Sequence, residues 1–160
     1  MKTKSFNQVG TFSILVLVPT TILFLILLVN SYTFGESNLV SEGTVFGIFF
    51  ICALTFYRIK ISVSEKYVSF KMGIGLMRKK YKVADLKSFT PVSNSMISGI
   101  GIRILSNGWL YNVSGFQAVE LQFTNKDSVV RIGTDKAEVV SSAIQEVIDC
   151  QENPSKVLNL

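Results

Sequence analysis

The side chains that carry most protein chemistry are sparse in this chain. There is no histidine, and there are only two cysteines, Cys52 and Cys150. A four-ligand Cys/His zinc site therefore cannot be assembled, and a histidine general base is excluded. Cys52 falls inside an apolar run and Cys150 near the C-terminus, which argues against an intrachain disulfide. The acids Asp85, Glu120 and Asp135 stand apart in sequence, suggesting neither a metal site nor an acid/base pair. Gly99-x-Gly101 lacks the third glycine and the Gly-Lys-Ser/Thr ending of a phosphate loop, and it reads as a close turn or bulge between strands. No catalytic residue, metal or cofactor is expected.

What does stand out is charge. Residues 58–87 carry nine basic side chains against Glu65 and Asp85, whereas residues 88–160 carry five basic against seven acidic. The densest stretch is Met77-Arg78-Lys79-Lys80-Tyr81-Lys82. In a strand, Arg78, Lys80 and Lys82 share one face. Arg78, Lys79, Lys80 and Lys82 are the candidate contact to an anionic surface, either lipid head groups or an acidic partner. Topology and solubility are the simpler uses of the same charge. One aromatic in the stretch, Tyr81, is a thin platform for stacking bases, so nucleic acid is not expected. Trp109 and Tyr111 are two residues apart and share a strand face, where core packing is expected before a ligand cage. Asn112-Val113-Ser114 has the form of a glycosylation sequon but carries no meaning on a cytoplasmic surface.

The elements that must hold these residues begin with two uncharged apolar runs. Residues 11–30 have the length needed to cross a hydrocarbon core of roughly 30 Å. Pro19 is tolerated there because a neighbouring helix can re-satisfy the backbone. A cleaved signal peptide would need a shorter core and a small-residue cleavage site, which residues 30–36 do not offer. Residues 43–57 are short for a span but reach sufficient length when extended back to Leu39. The connector holds Glu36 and Glu42 and no Lys or Arg, while Lys2, Lys4 and the basic segment flank the outer ends. The positive-inside rule then places both termini in the cytoplasm, with spans at about 11–30 and 39–57.

After Arg58 the apolar period changes to two. Ile59, Ile61 and Val63, then Val68, Phe70 and Met72, alternate with polar residues, and residues 76–83 follow the Gly73-Ile-Gly75 turn. A further strand is expected over residues 85–92, then a loop over 91–98. Residues 101–105 and 109–113 flank Ser106-Asn107-Gly108, a strong hairpin signal. Residues 117–123 and 128–132 continue the alternation. Asp135 and Glu138 have helix-capping spacing, and Val140, Ala143, Ile144, Val147 and Ile148 make one apolar helical stripe. The expectation is a transmembrane hairpin (1–57), an α+β domain (58–149) and a polar tail (150–160). The domain would be an antiparallel β-sandwich or partly open barrel of about seven or eight strands, capped by the C-terminal helix.

Strands in two antiparallel groups closed by one helix, directly after a membrane hairpin, resemble the bacterial pleckstrin-homology-like proteins. The most specific segments are Gly99-Ile-Gly101-Ile-Arg103, Gly108-Trp109-Leu110-Tyr111-Asn112-Val113-Ser114-Gly115 and Ile132-Gly133-Thr134-Asp135. The similarity covers about residues 57–148. It implies a non-enzymatic interaction or scaffold module of a bacterial inner membrane, its partner a membrane or membrane-proximal protein met at a strand edge or the open end of the sandwich. It also implies an alternative, contact with anionic phospholipid head groups through the basic strand. Lys60, Lys66 and Lys71 occupy the first strands and connecting loop, where eukaryotic members bind phosphoinositides, without the compact basic motif of that site.

Overall fold

The computed structural model describes residues 3–35, 38–94 and 101–152. Two long helices, α1 (Thr11–Phe34) and α2 (Leu39–Phe56), precede most of the sheet residues. Both are long and apolar enough to cross a membrane, and almost none of either helix is buried. They pack on each other, with Phe24 and Phe49 stacked at 5.4 Å between ring centroids. Pro19 lies inside α1, where the Thr20 and Thr21 hydroxyls donate to the carbonyls of Val16 and Leu17.

The first sheet has the order β1-β2-β3-β4, formed by Lys4–Val9, Arg58–Val63, Tyr67–Met72 and Met77–Lys82. Its first strand lies upstream of α1, so residues counted with the hairpin from the sequence belong to the sheet. β1 and β2 pair antiparallel from Lys4↔Val63 to Val9↔Arg58. The Gly10 N–H then donates to the Tyr57 carbonyl at 2.8 Å. The helical hairpin is thus an insertion at the end of a β-hairpin, without an intervening linker. The alternation read from the sequence places Ile59, Ile61, Val63, Val68, Phe70 and Met72 on one face, each 2% exposed or less.

A 3₁₀ turn at Val83–Asp85 leads to the second sheet, order β5-β8-β9-β7-β6. Its strands are β5 (Leu86–Ser93), β6 (Gly101–Leu105), β7 (Gly108–Asn112), β8 (Gln117–Phe123) and β9 (Lys126–Gly133). β5 runs through Pro91 rather than stopping before it. It is an edge strand, where a missing N–H can face outward. One pairing departs from the expected all-antiparallel arrangement: β7 and β9 are parallel, from Gly108↔Val129 to Tyr111↔Ile132. The β6–β7 hairpin forms as its sequence predicts, with Leu105 opposite Gly108. Its glycine serves another purpose, however. Gly108 has no positive φ, and a Cβ there would lie 1.8 Å from the Val129 carbonyl oxygen.

Tyr111, Val119, Leu121, Val130 and Ile132 of the second sheet meet the inner face of the first sheet. α3 (Ala137–Glu152) closes the core with Ala137, Val140, Ile144 and Val147. Each fully buried aliphatic or Phe side chain contributes about 1.5–3 kcal/mol.

Candidate interaction site

The basic strand lies at the edge of the first sheet, and its register sorts its charges. Arg78 is opposite Lys71, which is opposite Lys60; Lys80 is opposite Ser69, and Lys82 opposite Tyr67. These residues share the outer face. Lys79 is opposite Phe70 and Tyr81 opposite Val68, so these two lie on the inner side. Hence the run that reads as one basic block in the sequence divides between two surfaces.

On the outer face, Lys60, Lys71 and Arg78 form one row across three adjacent strands, with Ser62, Ser69 and Lys80 forming the next. A shallow depression of about 420 Å³ lies among them. Like charges directly opposite across strands repel, so this row is favourable only where anions or water screen it. Lys80 is held by the Tyr67 ring, its Nζ 3.7 Å from the centroid.

On the inner side, the edge of β4 stands away from the second sheet and leaves a groove of about 750 Å³. Its apolar wall includes Tyr81, Trp109, Tyr111 and Phe123, and Lys79, Lys80, Lys82 and Lys126 border it against a single acid, Asp85. The rings form a chain: Trp109–Tyr111 at 6.4 Å, Tyr111–Phe70 at 4.7 Å, Phe70–Tyr81 at 6.5 Å and Tyr81–Phe123 at 5.1 Å. Tyr111 is buried, but Trp109 is 43% exposed and available to an occupant. The sequence marks this aromatic pair without revealing that it faces Lys79 across an opening.

Burial, with the neighbouring Tyr111 adding to it, pushes the Tyr81 phenol up to about 12. Because the folded value exceeds the ordinary value near 10, the neutral ring contributes stability that is complete below pH 10. That contribution declines as pH rises towards 12. Burial raises the Tyr111 phenol as well, so we expect ultraviolet titration to show late-ionising tyrosines, of which the step at about 12 is absent in Tyr81→Phe. The variant should also be less sensitive than wild type to alkali over that interval. A Tyr81 that ionises with the exposed tyrosines would exclude the buried ring geometry.

A second set of polar contacts ties the sheets together at the end where the helices enter. Gln8 donates through Nε2 to the Ser114 carbonyl at 2.7 Å and accepts from the Asp135 N–H at 2.9 Å. The Ser13 hydroxyl of α1 donates to the Val113 carbonyl at 2.8 Å. Asn112, fully buried, donates to the Gly115 carbonyl and accepts from the Ser114 N–H. The formal sequon is therefore an internal turn. Of the expected capping pair, Asp135 and Glu138 are both exposed; the backbone donors preceding α3 go to Gln8 and to the Thr134 hydroxyl. No sequence motif marks Gln8.

The β3–β4 turn sits against the end of α2. Gly73 donates to the Arg58 carbonyl at 2.8 Å and Ile74 to the Leu54 carbonyl at 3.3 Å. Gly73 has φ +56°, and a Cβ on it would meet the Leu54 oxygen at 1.9 Å. The turn thereby presents Ile74 and Leu76, 60% and 59% exposed, beside the last turn of an apolar helix.

Glu120 is buried and pairs with Arg131 at 2.6 Å, with Gln122 donating to its other oxygen at 3.1 Å. Burial alone would raise its carboxyl, but the hydrogen bonds from Arg131 and Gln122 outweigh it and hold the group below the usual range. Gly101 begins β6 at φ +112°, and Gly99 lies outside the described residues. Cys52 lies in α2 and Cys150 in α3, both as free thiols.

Comparison with protein-family models, with curated proteins and with solved structures returns no match. The chain is thus defined by its own geometry: an apolar helical hairpin inserted into the first sheet of a two-sheet domain closed by a C-terminal helix.

Proposed function

We propose that this chain is a membrane-anchored, non-enzymatic interaction module of pleckstrin-homology-like architecture. Its domain faces the cytoplasm of a bacterium and lies against the anionic head groups of the inner membrane that its hairpin spans. The observation that carries this reading is the direct junction between sheet and helices. Gly10 and Tyr57 are hydrogen-bonded to each other, so both helices enter from the same end of one sheet. The positive-inside distribution of Lys and Arg gives the side. The two sheets and the covering helix support the pleckstrin-homology-like reading, and the parallel β7–β9 pair is a local departure from it.

The junction also sets depth. The Lys60–Lys71–Arg78 row lies two residues beyond Arg58, or roughly 7 Å along the strand. The polar zone of each leaflet is about 5–8 Å deep. This row stands at head-group level, with Ile74 and Leu76 on the hydrocarbon side of it. Lys80 and Lys82 lie roughly 13 and 20 Å along the same direction, so of the two only Lys82 stands more than a Debye length of about 8 Å beyond the head groups. A hairpin already fixes the domain to the membrane, so these charges set its tilt rather than recruit it.

The test uses the full chain in nanodiscs of phosphatidylcholine alone or mixed with phosphatidylglycerol. Lipids retained by the protein are counted by native mass spectrometry. Wild type should retain phosphatidylglycerol selectively, K60Q/K71Q/R78Q should lose that selectivity, and K82Q should keep it. With about 1 kcal/mol per cation near an anionic surface, the loss amounts to a tenfold change or more. Equal retention by wild type and the row variant would overturn the head-group contact, and failure of the chain to enter nanodiscs would overturn the anchor.

A further inference from the structure

We infer that the groove beside β4 is a docking site for an acidic, extended polypeptide segment, which adds to the first sheet as a fifth strand. This names the partner chemistry of the interaction module proposed above and rests on that reading for its setting at the membrane. Its own support is independent of the lipid contact.

Three observations converge. First, β4 has β3 as its only strand partner among the described residues. In an antiparallel sheet every second peptide of such a strand points its N–H and C=O outward, so a backbone template is present. Second, the charges along this edge are of one sign: Lys79, Lys80 and Lys82 on β4 and Lys126 across the opening, against Asp85. Lysines on an edge repel other basic strands and discourage indiscriminate pairing, while favouring a segment rich in Asp and Glu. Third, the opening is floored by aromatic surface rather than closed by it. Trp109 remains nearly half exposed, and Tyr81, Tyr111 and Phe123 lie beside it.

These features specify the occupant by its alternation. A strand paired to β4 directs successive side chains to opposite faces. One set turns inward beside Lys79 and Tyr81, over the aromatic floor, and suits Val, Ile or Phe. The other set lies beside Lys80 and Lys82 on the outer face, and suits Glu or Asp. Backbone pairing supplies the register, the inward pockets select apolar residues, and the lysines select the acidic face. The site lies beyond the head-group row on the same strand, so it stays open while the Lys60–Lys71–Arg78 row rests on lipid.

Trp109 is the single tryptophan of the chain, which makes the groove self-reporting. The experiment titrates the full chain, in nanodiscs of phosphatidylcholine only, with a short tryptophan-free peptide alternating Glu and Val. Two controls are a peptide alternating Lys and Val, and the Glu/Val peptide N-methylated on every amide, so that neither of its edges can donate to β4. The Glu/Val peptide should shift Trp109 emission to the blue and saturate. K79Q/K80Q/K82Q should weaken that binding at least tenfold, and the N-methylated peptide should not bind. Absence of saturable binding would overturn the site. Equal binding of the N-methylated peptide would reduce it to charge adsorption and overturn strand addition. Because no anionic lipid is present, failure here leaves the head-group result standing, and the reverse holds as well.

Discussion

A chain cut to residues 58–160 should fail to fold, whereas one in which residues 11–56 are replaced by Asn-Gly should fold as a soluble domain. The difference lies in β1. It pairs along its whole length with β2, and Phe6 packs against the core. Gln8 is among the buried polar residues and uses both ends of its amide, to Ser114 and to Asp135. Lys4 pairs with Glu146 of α3. Removing the strand leaves a Ser114 carbonyl and an Asp135 N–H without their protein partner, at about 1–3 kcal/mol each where no water replaces it. Loss of the Phe6 contact adds about 2 kcal/mol or more, and β2 becomes a new edge. The total is comparable with the whole stability of a small domain, about 5–15 kcal/mol. Replacing the helical hairpin is a smaller change, because Gly10 and Tyr57 already form the closing pair of a β-hairpin. An Asn-Gly turn supplies the twist that such a pair requires. The cost is the Ser13–Val113 hydrogen bond and the support of the Gly73 turn by Leu54. Circular dichroism and thermal melting of the two proteins decide the matter. Equal cooperative melting of both would show that β1 is dispensable.

The same strand shows where the sequence is legible and where it is not. β2 and β3 read plainly because their inward positions are all Ile, Val, Phe or Met. β1 reads Lys-Ser-Phe-Asn-Gln-Val, with Lys4, Phe6 and Gln8 opposite the inward residues of β2. A glutamine at a core-facing position erases the period-two signal, and it is there because two backbone groups from distant loops need it. The candidate site is divided in a similar way. Strand alternation foretells that Arg78, Lys80 and Lys82 share a face. Their neighbours across strands, Lys60 and Lys71, become adjacent only through register. The aromatic groove depends on the parallel β7–β9 pairing, which joins strands that no local turn connects. Alternation identifies faces; it does not say which strand lies beside which.

Gly108→Ala should destabilise the protein by about 3 kcal/mol or more, and by clearly more than Gly75→Ala. This ordering is informative because backbone preference alone gives the opposite one. Gly75 has φ +102°, where an alanine is strained, yet nothing lies within 4 Å of where its Cβ would be. That substitution should cost about 1–2 kcal/mol. Gly108 has an unremarkable φ, but its Cβ would fall 1.8 Å from the Val129 oxygen and 2.8 Å from the Val129 nitrogen. These are backbone atoms of the neighbouring parallel strand, held by the Val129 N–H to Asn107 carbonyl bond of 2.8 Å. They cannot turn aside as a flexible side chain can, so β7 must separate from β9 over the length of their pairing. Leu110, fully buried, and Tyr111 then lose cover, and such overpacking costs at the upper end of about 1–3 kcal/mol before the lost ladder is counted. Urea unfolding followed by Trp109 emission measures both variants. Because Trp109 is the next residue on β7, the folded Gly108→Ala protein should also lose the blue shift given by the Glu/Val peptide. If Gly108→Ala unfolds at the wild-type midpoint, β7 and β9 are not paired in this register and the groove floor is not the one described. If stability falls while peptide binding survives, the strand shift does not reach the groove, and the occupant must be read by the β4 edge alone.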